Sequence, residues 1–181
     1  LGDGSSVDRT SPVQVTRDAN GGSFGDVTDV CTGYTTTCAR KSDGSVWCIG
    51  ANHLGQLGTP SAPPTGSSRP VEVALGEEII QGGLTCAMDH VCAVTRSGQV
   101  WCWGGNEHGQ VGNASTYGIA APNPVPTRVV GLPEPVHAVS ADAQHTCAIT
   151  KDDAVYCWGK DDKDRLFPGT SSSVPQLVQV P

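Results

Sequence analysis

Basic and aromatic residues are both scarce in this chain, and the shortage of basic ones removes a class of function. Lys and Arg total 11 against 18 Asp and Glu, a formal net charge of −7. Affinity for nucleic acid rests largely on neutralising phosphates. No basic cluster stands apart from the acidic background, so no nucleic-acid partner is expected. No apolar run approaches the ~18 residues of a membrane-spanning helix, so no membrane insertion is expected. No targeting segment is recognisable at Leu1-Gly2-Asp3-Gly4, and any such segment is expected upstream or already removed. No stretch carries an amphipathic helical period. CxxC and CxxCH are both missing, which removes clustered zinc spacing.

What the chain does have is punctuation and repetition. Its 23 Gly and 13 Pro imply many short elements joined by turns. Three segments match position by position. They are Thr37-Cys38-Ala39 to Val46-Trp47-Cys48-Ile49-Gly50, Val91-Cys92-Ala93 to Val100-Trp101-Cys102-Trp103-Gly104, and Thr146-Cys147-Ala148 to Val155-Tyr156-Cys157-Trp158-Gly159. Downstream, Asn52-His53-Leu54-Gly55-Gln56-Leu57-Gly58 is echoed by Asn106-Glu107-His108-Gly109-Gln110-Val111-Gly112. Upstream lie Pro12-Val13-Gln14-Val15, Pro70-Val71-Glu72-Val73 and the variant Pro126-Thr127-Arg128-Val129. Cutting after Gly-Gln gives repeats 1–56, 57–110 and 111–165, with 166–181 beginning another. A period of about 55 residues lies near that of propeller blades. Alternating β-branched and aromatic residues follow the turn signals Ser42-Asp43-Gly44, Ser97-Gly98 and Asp152-Asp153, a hairpin pattern. The expectation is an all-β chain.

The run from Thr-Cys-Ala through Trp-Cys-Trp-Gly to Asn-x-x-Gly-Gln-Leu-Gly resembles the regulator of chromosome condensation (RCC1) repeat. The likeness covers essentially the whole chain and points to a secreted, disulfide-bearing, bacterial-type branch. It implies propeller blades of four strands and a habit of binding proteins, without fixing the partner. The third repeat departs from the pattern: Asp153 replaces the turn Gly, Asp142 stands where the first repeat has Gly33, and 160–165 lacks the Gly-Gln motif. It reads as degenerate. Three repeats do not close a propeller, so the expectation is a partial ring. It is completed by further repeats of a longer chain, by a second copy, or as a head-to-tail filament.

Cys38 and Cys48 flank a hairpin turn, as do Cys92 with Cys102 and Cys147 with Cys157, ten residues apart each time. Facing hairpin residues lie within disulfide reach. Cys31 and Cys86 occupy the preceding strand in successive repeats, and a bridge between neighbouring blades follows. Stable disulfides imply an oxidising compartment, so the protein is expected to be secreted or at the cell surface, extracellular or periplasmic. That location and the acidic charge argue against the chromatin-bound, Ran-type exchange role best known in the family.

No catalytic residue, metal site or cofactor is expected. A nucleophilic Cys needs a His base; of His53, His90, His108, His137 and His145, the one in a His-Thr-Cys run, His145, belongs to the motif. Asp161, Asp162 and Asp164 suit calcium by chemistry, yet Lys163 interrupts them and a solvated turn is expected. The recurring Trp47, Trp101, Trp103 and Trp158 are expected between blades rather than on a ligand platform. Asn113-Ala114-Ser115 matches an N-glycosylation sequon. The long segments 59–70 and 113–127 are candidate binding loops, with Tyr117, Ile119, Arg128 and His137 in or near the second. The expected function is a non-enzymatic, extracellular protein-interaction module. A surface-fibre subunit and a secreted enzyme inhibitor are the alternatives.

Overall fold

A computed structural model of the chain describes residues 2–114, 123–161 and 172–178. The described residues hold no helix; they form twelve strands in three four-stranded antiparallel sheets. The first sheet orders β1 (Val27–Thr32), β2 (Thr36–Lys41), β3 (Val46–Gly50) and β4 (Ser67–Glu72). The second orders β5 (Ile79–Cys86), β6 (His90–Thr95), β7 (Val100–Gly104) and β8 (Asn123–Arg128). The third orders β9 (Val136–Asp142), β10 (His145–Thr150), β11 (Val155–Gly159) and β12 (Ser172–Leu177).

The central hairpins keep one register. Cys38 faces Cys48, Cys92 faces Cys102 and Cys147 faces Cys157. Each pair forms a disulfide with Cα atoms 4.1 Å apart. Gly44 and Gly98 turn these hairpins at φ 86° and 84°, and Asp153 holds the same left-handed conformation at φ 64°. Asp tolerates that region better than most side chains. The loss of the turn glycine therefore leaves the third hairpin intact.

The blade is out of phase with the sequence repeat. The fourth strand of each sheet follows the Gly-Gln loop, so β4 lies within 57–110 yet completes the sheet begun in 1–56. Pro70, Pro124, Pro126 and Pro175 all fall on these fourth strands. Each such strand is an outer edge, where a residue without an N–H is tolerated.

The sheets stack face to face. Cys38, Val46 and Cys48 on the first sheet pack against Val91, Ala93 and Trp103 on the second. Cys92, Val94, Val100 and Cys102 on the second pack against Ala148 and Trp158 on the third. Hairpin disulfides thus take the place of aliphatic side chains between blades, which fits a chain with so few aromatics. Arg40 is buried in the first seam without a carboxylate. Its guanidinium instead donates to the carbonyls of Ile79 (2.9 Å) and Lys41 (3.0 Å) and to Thr28 Oγ1 (2.8 Å).

Cys31 on β1 bonds Cys86 on β5, joining the first strands of adjacent sheets. At the next seam the corresponding positions are Thr85 and Ala141, and there the Ala141 N–H donates to Thr85 Oγ1 at 3.1 Å. A hydrogen bond stands where the first seam has a covalent staple.

Exposure separates the four disulfides. Cys38, Cys48, Cys92 and Cys102 are fully buried, whereas Cys31, Cys86 and Cys147 are half-buried. Reduction needs access to sulfur. Native-state reduction followed by alkylation and peptide mapping is therefore expected to release Cys31–Cys86 and Cys147–Cys157 first. Modification of Cys38 or Cys92 ahead of Cys31 would contradict this order.

Candidate interaction surface

One end of the stack gathers the turns that join the first two strands of each sheet, together with the Asn-x-x-Gly-Gln loops. Those loops are built alike. Asn52 Oδ1 accepts from Leu57 N at 3.0 Å, and Gln56 Oε1 accepts from Leu54 N at 2.9 Å. Asn106 and Gln110 repeat both bonds with Val111 N and His108 N, at 3.0 and 2.9 Å. The Gln side chain thus closes its own turn, and its backbone carbonyl is left pointing at the next sheet. Gln56 O accepts from Trp103 Nε1 and Gln110 O from Trp158 Nε1, each at 2.9 Å. Gly58 and Gly112, at φ 65° and 73°, lie where a Cβ would strike those indoles. The motif couples neighbouring blades, which accounts for its recurrence.

Within this scaffold, the three turns from β1 to β2, β5 to β6 and β9 to β10 surround a cleft of about 300 Å³. Gly33, Tyr34, Cys86, Met88, Asp142 and Ala143 line it. The Gly33 position is closed to any side chain by the carbonyl of Ala87, so the first two turns meet backbone to backbone. Tyr34 is 82% exposed and Met88 42%. Both tip residues are projected by turns that are themselves fixed by Gly33 N–H to Thr36 O and Ala87 N–H to His90 O. Asp89 follows Met88. Its carboxyl is raised above the ordinary range, first by burial and second by the charge of Glu107.

Directly beneath, His90 is fully buried in the seam between the second and third sheets. Thr146 Oγ1 donates to Gln110 O at 3.0 Å. That hydroxyl therefore accepts from His90 Nε2–H at 2.8 Å, and Nδ1 is left unprotonated and without a partner. Burial first, and the charge of His145 second, push His90 down to about 3.

The outer faces of the stack are different. On the first sheet, Phe24, Val27, Val30, Trp47 and Ile49 line an apolar cleft of about 570 Å³. Phe24 meets Trp47 edge-on at 5.9 Å, and Lys41 Nζ lies 5.5 Å from the Trp47 ring. Trp103 and Trp158 are fully buried between sheets, as expected for blade core. Trp47 and Trp101 are only half-buried.

The residues expected around the second long loop do not come together. Tyr117 and Ile119 lie outside the described residues. Arg128 ends β8 and His137 lies near the start of β9, both at the opposite end of the sheets from Asn123, where β8 begins. Arg128 is held there by Glu134 at 2.8 Å. Asp162 and Asp164 also lie outside the described residues. Among those described, no group of three His, Cys, Asp or Glu side chains converges as a metal site would need. Asn113 of the sequon accepts from Asn106 Nδ2 at 3.2 Å and donates to Asn123 Oδ1 at 3.4 Å. No cysteine is free. Sequence reasoning passed over Tyr34 and Met88, and weighed His90 only as a base for a cysteine. The available signal was an exposed apolar residue at a turn tip, and a His two residues before a hairpin Cys.

Known proteins share this architecture. A model of the regulator of chromosome condensation (RCC1) repeat matches residues 43–94 and 97–149, and a second model of that repeat matches 27–56 and 136–164. The human E3 ubiquitin-protein ligase HERC2 is 29% identical over 181 residues, covering 99% of this chain and 4% of HERC2. The ultraviolet-B receptor UVR8 of Arabidopsis thaliana is 31% identical over 177 residues, covering 93% of this chain and 38% of UVR8. Yeast RCC1 (Prp20), solved bound to Kap60, superposes with a TM-score of 0.75 at 22% identity, over 86% of this chain and 37% of that one. The chain thus spans well under half the length of each. The repeat and its four-stranded sheets agree: the chain belongs to the regulator of chromosome condensation (RCC1) repeat family.

Proposed function

We propose that this chain is a non-enzymatic protein-interaction module of RCC1 propeller repeats, working in an oxidising compartment, secreted or at the cell surface. The observation that carries the reading is the use of every cysteine as a structural staple. Two of the four disulfides are sealed between blades and replace core side chains, a design suited to oxidising surroundings. The turns at the cleft end are rigidly braced and tipped by exposed Tyr34 and Met88, residue types that anchor protein interfaces. A relative of the same fold, yeast RCC1, is known in complex with the protein Kap60. The bare apolar face of the first sheet supports a second reading, in which further blades from the same polypeptide or another copy extend the ring.

One experiment addresses both location and binding. The protein is recovered from its native source under immediate alkylation, after photo-crosslinking from probes spread over its surface. Protected cysteines and discrete adducts with a protein are the expected result. Fully alkylated cysteines would reject the oxidising compartment, and a lack of protein adducts from every probe position would reject the interaction module.

A further inference from the structure

The cleft at the turn end is walled by Tyr34, Cys86, Ala87 and Met88 with Asp142 in its lining; Asp89 follows Met88, and Glu107 lies near enough for its charge to raise the Asp89 carboxyl. Asp89, Glu107 and Asp142 neither accept a hydrogen bond nor form an ion pair there. No Lys or Arg lies in the three turns around the cleft or in 51–66 and 105–114; Lys160 is already engaged, and Arg9, in the N-terminal segment that reaches this end through Gly4 and Ser68, pairs with Asp3. The opposite end differs. There Glu78 pairs with Arg96 and Glu134 with Arg128, while Glu77, Asp43 and Asp152 accept from hydroxyls.

We propose that this cleft docks an extended, basic protein segment. An apolar side chain of the segment enters between Tyr34 and Met88, and its Lys or Arg side chains meet Asp89, Glu107 and Asp142. The inference rests on the protein-interaction reading and names its surface and partner chemistry. Charge complementarity selects the occupant: three unpaired carboxylates repel an acidic segment and gain from a cation that is partly desolvated on docking. The exposed Tyr34 ring offers an arginine or lysine a cation–π face. Met88 adapts its shape to an apolar side chain. The half-buried Asp89, already penalised by desolvation and by Glu107, is the carboxylate with most to gain.

The test uses fluorescence anisotropy with the full chain and a labelled peptide of alternating Arg and Leu. Glu/Leu and Arg/Ser counterparts serve as controls. The Arg/Leu peptide is expected to bind, and to lose at least about tenfold in affinity in Tyr34→Ala and in the double variant Asp89→Asn, Glu107→Gln. The charge-matched double variant Glu77→Gln, Glu78→Gln at the opposite end is expected to bind as the parent does. Equal loss in the two double variants would reduce the effect to net charge and overturn the proposal. So would unchanged binding by Tyr34→Ala, equal binding of the control peptides, or no binding at all. A solution mass that doubles in the parent and returns to a monomer in Tyr34→Ala would give the cleft to a second copy, and also overturns it. Protein adducts formed only from probes elsewhere on the surface would leave the interaction module standing while this cleft fails.

Discussion

Replacing Trp103 by Ala is expected to lower the free energy of unfolding by about 4 kcal/mol, within the range of core Trp truncations. The indole is fully buried against Leu57 and Val73, in the same cluster as the Cys38–Cys48 disulfide. Its removal opens a cavity between two sheets that share no backbone ladder. The Cys31–Cys86 bridge still tethers those sheets, so the void cannot be relieved by the blades parting. Urea unfolding at neutral pH measures the effect, and a loss below about 1 kcal/mol would show that the seam does not depend on the indole. Conservative replacements separate packing from hydrogen bonding. Gln56 O accepts only from Trp103 among the described residues, whereas Gln110 O accepts from both Trp158 Nε1 and Thr146 Oγ1. Trp103→Phe leaves a carbonyl unsatisfied and is expected to cost about 1–2 kcal/mol more than Trp158→Phe, which does not. Equal costs would mean that the Gln56 carbonyl finds another donor.

The hairpins could be read directly from the chain because a disulfide, a turn and a strand period all constrain the same ten-residue interval. Cys38 and Cys48 cannot be bridged across a turn at Asp43 in any other register. The phase of the blade could not. A repeat fixes a period, but self-similarity is unchanged by where the cut is made. Only the pairing of β3 with β4 reveals that each sheet borrows its last strand from the following repeat. Proline was the overlooked clue, since a Pro-rich strand belongs on an outer edge. The binding surface was harder still. Arg128 and His137 are close to 113–127 in sequence, but 123–127 is strand rather than loop, and β8 carries the chain to the far end of the sheet. Tyr34 and Met88 are 54 residues apart and line one cleft only because successive blades stack their first turns side by side.

Acid is expected to weaken the seam between the second and third sheets, through His90. In the unfolded chain this imidazole takes a proton near its ordinary value of 6.5, while burial holds it at about 3 in the folded one. Below pH 6.5 the unfolded state therefore binds more protons, and stability is lost as pH falls through the window between those values. The slope approaches about 1.4 kcal/mol per pH unit once the unfolded imidazole is fully protonated. A charged ring would add a second donor, at Nδ1, in a place that offers it no acceptor. Its neighbours Thr146 and His145 supply a hydroxyl already in use and a further positive charge. Asp89 acts in the opposite sense: its raised carboxyl takes up a proton more readily when folded, so acid favours the folded state through that group. The lowered carboxyls of Asp43 and Asp152 lose their hydrogen-bonded form only below the ordinary Asp value of 3.8. Urea midpoints between pH 7 and about pH 5 accordingly isolate the histidine. His90→Gln keeps an amide donor for Thr146 and cannot titrate, so its stability is expected to stay flat across that range while the parent's declines. Parallel slopes in the two proteins would place the acid sensitivity elsewhere. A flat response in both would mean that the seam admits water to His90 at little cost.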